Sequence, residues 1–450
     1  MHLAGIEQGA EARRPGFGRR VMRWTVAATL TAGVAGLSSC GNSYRPVVAT
    51  VGIVGPAGQP QKFAIAVSSP APNANGLLTI VDFAGDTVLV NANLGVNPYY
   101  LALNTSGSNG YTLNTDKTVT SFGISTSLIS SDVLESTLPA GSNPISLFAT
   151  PTGTYIADPG VSAVDQMTGG LPPALKQELP VNSGYTPVYV VGAPGAARAF
   201  TLTRATNGGA GQVQTIEVGT NTISAALPVG RGPIYGVMSA DSRRVFVMNQ
   251  TDGTVSVINS QTNALDTPVN TIPVGVNPVW ADLAPGLNEL VVANQGNGTT
   301  PGSLSIISIP LCSATTLPTN PNCNASNPID ATTFGQVIAT VPLGINSFMV
   351  TVLADNSRAY IANAGNPNLP CSQTTCTVSV VNLSTNTVTA TIPINGHPAW
   401  IASANSSPTG KVYVVCHDSQ VMTVIETDTD KVDTTIPLQG YGVSVRMTSP

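Results

Sequence analysis

From residue 61 onward the chain is built of short runs in which apolar and polar positions alternate, with Gly, Asn, Asp and Pro between the runs. One stretch shows the order clearly: "VFVMN" ending at Asn249, the polar turn "QTDG", then "TVSVINS", "QTNAL", "NTIPVG" and "VNPVWADLA". Period-two alternation, β-branched residues and turn formers at the breaks predict four short strands in succession. No segment sustains a helical period.

The same order recurs. Counterparts of the strand ending at Asn249 end at Ala66, Asn114, Asp158, Thr203, Asn294, Asn363 and Cys416, with successive spacings of 48, 44, 45, 46, 45, 69 and 53 residues. The two long spacings hold cysteine-bearing insertions. One ten-residue phrase is nearly verbatim in two copies, "TIPVGVNPVW" (Thr271 to Trp280) and "TIPINGHPAW" (Thr391 to Trp400). A unit near 45 residues with four antiparallel strands is a propeller blade; it cannot bury both faces alone, whereas a ring of units can. The length of 450 residues alone suggests two or three domains, but the repeat makes 61–450 a single one.

These repeats resemble the YVTN family of β-propellers, known from bacterial exported proteins and archaeal surface layers. The resemblance rests on the strand ending in Asn, the "TVSVI" strand and the "TIPVG..P" phrase, and covers residues 61 to 450; no copy spells YVTN itself. It implies that the strand after "G..P" is the innermost of each blade. The chain then opens on a blade's second strand and ends on an innermost one, "YGVSVRM", which predicts a three-plus-one clasp between the chain ends. The fold expectation is all-β, with eight four-stranded blades, seven being the family's commoner number.

Composition agrees. Charged residues are 9% and hydrophobic ones 42%, with 44 Gly and 35 Pro, too apolar for disorder and too rich in breakers for helices. The net charge is −5, and without the first 39 residues, which carry five Arg and two Glu, it is −8. That balance argues against nucleic acid and anionic membrane surfaces as partners.

The N-terminus reads as an address. Arg13, Arg14, Arg19, Arg20 and Arg23 precede the apolar run "WTVAATLTAGVAGL" and then "SSC", the layout of an export signal and too short for a comfortable membrane span. Leu37 to Cys40 resembles a bacterial lipobox, which implies that residues 1–39 are removed, Cys40 is lipidated and 40–60 form a tether. An ordinary cleavable signal with a chance Cys is the alternative, and translation from Met22 is compatible with the pattern. The expected location is the bacterial envelope, as an outer-membrane-anchored lipoprotein at the periplasmic or outer surface.

Further cysteines suit an oxidising compartment. Cys312 and Cys323 flank one insertion, Cys371 and Cys376 the other, so each pair is expected to staple its own loop. A metal knot is the rival reading, against which neither pair has zinc-ligand spacing. Cys416 reads as a buried, inert thiol.

Aligned on "G..P", one residue per blade falls at the rim of the central channel: Asn97, Asn143, Thr186, Gly232, Asn277, Asn346, His397 and Tyr441, with Tyr185 and Arg231 one position earlier in their blades. Asn before Pro is turn chemistry. Arg231, His397, Tyr441 and Tyr185 are not turn residues, and they bring charge, imidazole and phenol to a concave mouth where ligands bind. His417 follows Cys416 and is expected beside His397; such a pair is half a site for zinc, copper or haem iron.

No cofactor is otherwise implied. The acids Asp82, Asp116, Asp132, Glu135 and Asp158 read as solvated turn residues, and no hydrolase or haem-attachment motif occurs. The expected function is a non-catalytic, envelope-held propeller that binds a protein or polysaccharide through its channel mouth. A propeller enzyme, either a lactone hydrolase or a haem- or metal-linked oxidoreductase, is the alternative. A structural surface-layer or adhesion element is the third.

Overall fold

In the computed structural model, residues 62–448 are described except 194, 240, 311–332, 373–374 and 405–409. The expected lipidation site Cys40 and the pair Cys312 and Cys323 lie outside the described residues.

Second strands of the blades are buried on both faces: Gly153–Asp158, Arg244–Asn249, Glu289–Asn294 and Lys411–Cys416 have no exposed position. Outer strands such as Thr222–Arg231 alternate between exposed and half-buried positions. That gradient belongs to sheets stacked face to face around an axis, with one edge outward. The strands form eight antiparallel sheets. Their inner strands, Tyr441–Met447, Pro98–Leu103, Ser146–Thr150, Tyr185–Val191, Pro233–Met238, Pro278–Ala284, Ser347–Val352 and Pro398–Ala404, number blades 1 to 8 here. Each inner strand contacts the next, and that of blade 8 contacts that of blade 1. The ring is an eight-bladed β-propeller.

The expected clasp closes it. Tyr441–Met447 pairs with Phe63–Ser69, the first strand of the chain, from Ala64 opposite Met447 to Ser69 opposite Tyr441. At the far end of this seam Phe63 N–H donates to Thr448 Oγ1 at 3.0 Å, and Thr448 N–H to Phe63 O at 3.1 Å. Blade 5 departs from the pattern: its outer strand is split into Ala264–Leu265 and Thr271–Pro273, both paired with Thr254–Asn259.

The repeated residues have physical roles. The amide of the strand-ending Asn donates to two hydroxyls on the next strand: Asn249 to Thr254 and Ser256, Asn294 to Ser303 and Ser305, Asn363 to Thr377 and Ser379, Asn114 to Thr118 and Thr120. The Gly of "TIPVG" lies under the Asn of the following blade, and a Cβ on Gly95, Gly230, Gly275 or Gly344 would meet that side chain at 2.2–2.8 Å. Adjacent blades are also bolted at the periphery. Left-handed turn residues accept bonds from the previous blade: Asp86 from Tyr413 and Lys411, Asp430 from Tyr360 and Arg358, Asn221 from Tyr155.

Candidate functional site

The "G..P" turns lie at the mouth, and backbone geometry explains most of their residues. Asn97, Gly232, Asn277 and Asn346 all have φ between 45° and 67°, a region that Gly and Asn enter at least cost. The Asn side chains are occupied locally. Asn97 Oδ1 accepts from Ser69, Asn277 Nδ2 donates to Gly296 O, and Asn346 Oδ1 accepts from Gln295. Asn143 is exposed, and its N–H donates to Asp158. Tyr185 and Thr186 begin the inner strand of blade 4, half-buried, and Tyr441 is 44% exposed.

Blade 8 differs. There the positive φ belongs to Gly396, at +126°, so the next position is released from the left-handed region and a His stands there. His397 is buried. Its N–H and Nδ1 both engage the Asp418 carboxylate, at 2.7 and 2.6 Å, and Nε2 lies 3.1 Å from Leu369 O. Acceptors at both ring nitrogens suit the doubly protonated ring. Burial raises the Asp418 carboxyl, but bonds from the His397 ring and backbone and the charges of both histidines outweigh it, leaving its pKa lowered. The His417 ring is exposed and lies 5.2 Å from that of His397. The two histidines therefore meet, as expected, but the inner one is held by a carboxylate and a carbonyl. Arg231 repeats the arrangement in blade 5, giving its N–H and Nε to Asp252; the backbone bond is the largest cause that lowers the Asp252 pKa.

Against His397 lies the insertion of blade 7. Cys371 and Cys376 are joined in a disulfide, and their sulfurs and a His397 ring nitrogen all lie within 4.8 Å of one another. Cys416 is a buried free thiol as expected, pushed up to about 12 by burial and then by the Asp418 charge.

The main feature missed in the sequence is the channel itself. Tyr100, Tyr189, Tyr235, Trp280 and Trp400 each stand two residues after the Pro of "G..P". Tyr189 approaches Tyr235 with centroids 4.9 Å apart, Tyr235 stacks on Trp280 at 3.8 Å, and Trp280 meets Trp400 at 5.3 Å. Trp400 meets Tyr100 at 6.4 Å, and Tyr100 lies beside Tyr189. Three of these contacts skip a blade, which is possible only across the central axis. Arg446 of blade 1 caps the group, its guanidinium 4.0 Å from the Trp400 ring centroid. The signal was visible in the sequence as an aromatic at a fixed offset from Pro in five copies. Farther along the inner strand, Asp282 accepts from Val352 N and Leu283 N, and burial raises its pKa to about 6.

The acids divide. Asp82, Asp116 and Asp132 cap turns, as expected. Asp158 corrects that reading: it is fully buried, with Oδ1 accepting from Asn143 and Gly160. Ala163 and Asp165 occupy the places where other blades carry hydroxyls. Asp165 is fully buried, and no protein donor reaches either of its oxygens among the described residues. Burial first, then the nearby Asp158 and Glu178 charges, raise its carboxyl to about 7.

No family model and no curated protein matches the chain. Solved structures do. Dihydro-heme d1 dehydrogenase NirN, in complex with DHE, aligns with a TM-score of 0.61 at 12% identity, over 84% of this chain and 74% of its own. AztD from Citrobacter koseri, in its apo form, aligns with a TM-score of 0.54 at 11% identity, over 86% and 97%. A Bacteroides fragilis protein described as a candidate 6-phosphogluconolactonase aligns with a TM-score of 0.51 at 13% identity, over 87% and 99%. At these identities the likeness shows the β-propeller fold alone.

Proposed function

We propose that the chain is an exported, envelope-held binding propeller of the YVTN type that takes a polysaccharide segment at its channel mouth. The observation that carries this reading is the aromatic group inside a polar rim. Two residues below the mouth, about 7 Å along a strand, Tyr100, Tyr189, Tyr235 and Trp280 are half-buried rather than fully enclosed. Aromatic faces stack on the apolar faces of sugar rings, while hydroxyl-seeking groups, here Arg231, Thr186, Tyr185, Tyr441 and His417, fit the sugar edges. The leader residues 1–39 and the lipobox Cys40 support an envelope address with membrane contact through the lipid alone. Nucleic acid does not suit the acidic mature chain.

An envelope protein is the second partner reading, favoured by apolar side chains exposed around the mouth, Tyr99 at 38%, Val276 at 64% and Leu369 at 58%. The enzyme alternative, a lactone hydrolase or a haem-linked oxidoreductase, draws on the names of structures that share only the fold.

The test is co-sedimentation and a glycan array with the mature chain, alongside an Arg231→Ala/Tyr441→Ala rim variant whose melting temperature is unchanged. Binding of an envelope glycan that quenches tryptophan fluorescence and fails in the rim variant supports the reading. No glycan bound, or binding indifferent to the rim, overturns it.

A further inference from the structure

We infer that the Cys371–Cys376 disulfide closes a metal site, and that a dithiol opens it to a soft d10 cation, Zn(II) or Cu(I), held by Cys371 Sγ, Cys376 Sγ and His397 Nε2. This stands on its own observations, independent of glycan binding. Two thiolates and an imidazole are a donor set that such cations favour. The two sulfurs and a His397 ring nitrogen already lie within 4.8 Å of one another, whereas a tetrahedral zinc site needs ligand atoms about 3.5–3.8 Å apart. Opening the disulfide and turning two side chains suffices.

The second observation is the shell behind the ligand. Asp418 accepts from His397 Nδ1 at 2.6 Å, the carboxylate-to-histidine arrangement that fixes the tautomer and raises the basicity of the other ring nitrogen in metal sites. That other nitrogen points into the cysteine loop, facing Leu369 O two residues before Cys371. Leu369 O and the two bonded sulfurs therefore lie against the histidine ligand in the oxidised state. A linear zinc motif is absent because the ligands come from two blades: the sulfurs from the insertion of blade 7, the imidazole from the mouth turn of blade 8. Four residues separate Cys371 and Cys376, the upper end of the usual zinc spacing, so for this pair, against the expectation from sequence, the spacing admits a zinc site.

The chemistry balances. A dithiol gives two electrons and two protons to the Cys371–Cys376 bond, yielding two thiols and its own disulfide. The cation then displaces the two thiol protons and takes the Nε2 lone pair, releasing a further proton where the ring was doubly protonated. Cys416, buried and with its thiol pKa raised, stays out of the exchange.

The experiment uses the mature chain, oxidised and after anaerobic phosphine reduction, titrated with Co(II) as the spectroscopic stand-in for Zn(II), and separately with Cu(I). The expected result is one equivalent bound only after reduction, with a thiolate-to-cobalt charge-transfer band, displaced by Zn(II). The band should vanish in Cys376→Ser and His397→Gln and persist in Cys312→Ser/Cys323→Ser. Asp418→Asn should weaken affinity about 10–100-fold. Equal binding by oxidised protein, binding that survives His397→Gln, or no binding when thiol counting shows both cysteines reduced and circular dichroism is unchanged would each overturn the inference.

Discussion

Trp280 and Trp400 meet edge to face inside the channel, with ring centroids 5.3 Å apart and planes at 86°. They belong to blades 6 and 8 and end the two matching ten-residue phrases. The contact spans the blade between them, so the constant residue of the phrase, rather than its variable one, ties non-neighbouring blades of the ring together.

Trp400→Ala should therefore cost more than a surface strand substitution. Trp400 is 9% exposed and touches Trp280, Tyr100 and Arg446, and emptying such a site costs about 3–5 kcal/mol. Trp400→Phe should lose less than half of that. Urea unfolding decides; equal midpoints for wild type and Trp400→Ala would mean that the rings touch without holding the ring closed.

The buried acid pair makes stability depend on pH. Asp165 is raised from its usual 3.8 to about 7, chiefly by burial. Between those values the folded chain holds a proton that the unfolded chain has lost, so raising the pH favours unfolding. Stability should fall from about pH 4 to about pH 7 and level off above, once both states are ionised. Asp165→Asn removes this slope and should be more stable at pH 8 by on the order of 2 kcal/mol. Denaturation at pH 5 and pH 8 tests it; a variant with the wild-type slope would place the proton elsewhere.

Across the seam, Lys411 of blade 8 is buried and gives its ammonium to Asp86 Oδ2 at 2.6 Å and to Phe83 O at 2.7 Å. Asp86→Asn tolerates the left-handed turn but leaves that charge without its counter-ion, which should cost about 3 kcal/mol. Asp430→Asn, facing the more exposed Arg358, should cost about 1 kcal/mol. Similar losses at both sites would show that burial of the pair does not set its weight.

Mouth asparagines offer a test of turn against ligand. Asn277→Gly should be neutral within a few tenths of a kcal/mol, while Asn277→Ala should lose about 1 kcal/mol at φ 54°. Calorimetry on both variants, with glycan binding measured alongside, separates the roles. Full stability in Asn277→Ala with lost binding would make the amide a ligand group.

Strand order, blade number and the clasp were legible because each is written in local alternation and in its spacing. The disulfide was legible because both cysteines share one insertion. Trp280 and Trp400 were in plain sight yet read as strand residues, since contacts that skip a blade leave no mark on local pattern. His397 beside Cys371 and Cys376 was hidden for the same reason: neighbours in space come from different repeats. Asp158 passed for a turn residue because its blade exchanges the amide and one hydroxyl for carboxyls, and the other hydroxyl for a methyl, without altering the strand pattern.

The seam has a mechanical meaning. Ser69 lies opposite Tyr441 at the mouth, so Phe63, at the other end of its strand, leaves the disc from the rear. Tension applied through residues before Lys62 runs along that strand, which is hydrogen-bonded on both sides. Such a load shears all of those bonds together instead of peeling them one by one. Under the proposed envelope attachment, a pull from that end would be borne by the whole strand at once, on the face opposite the mouth.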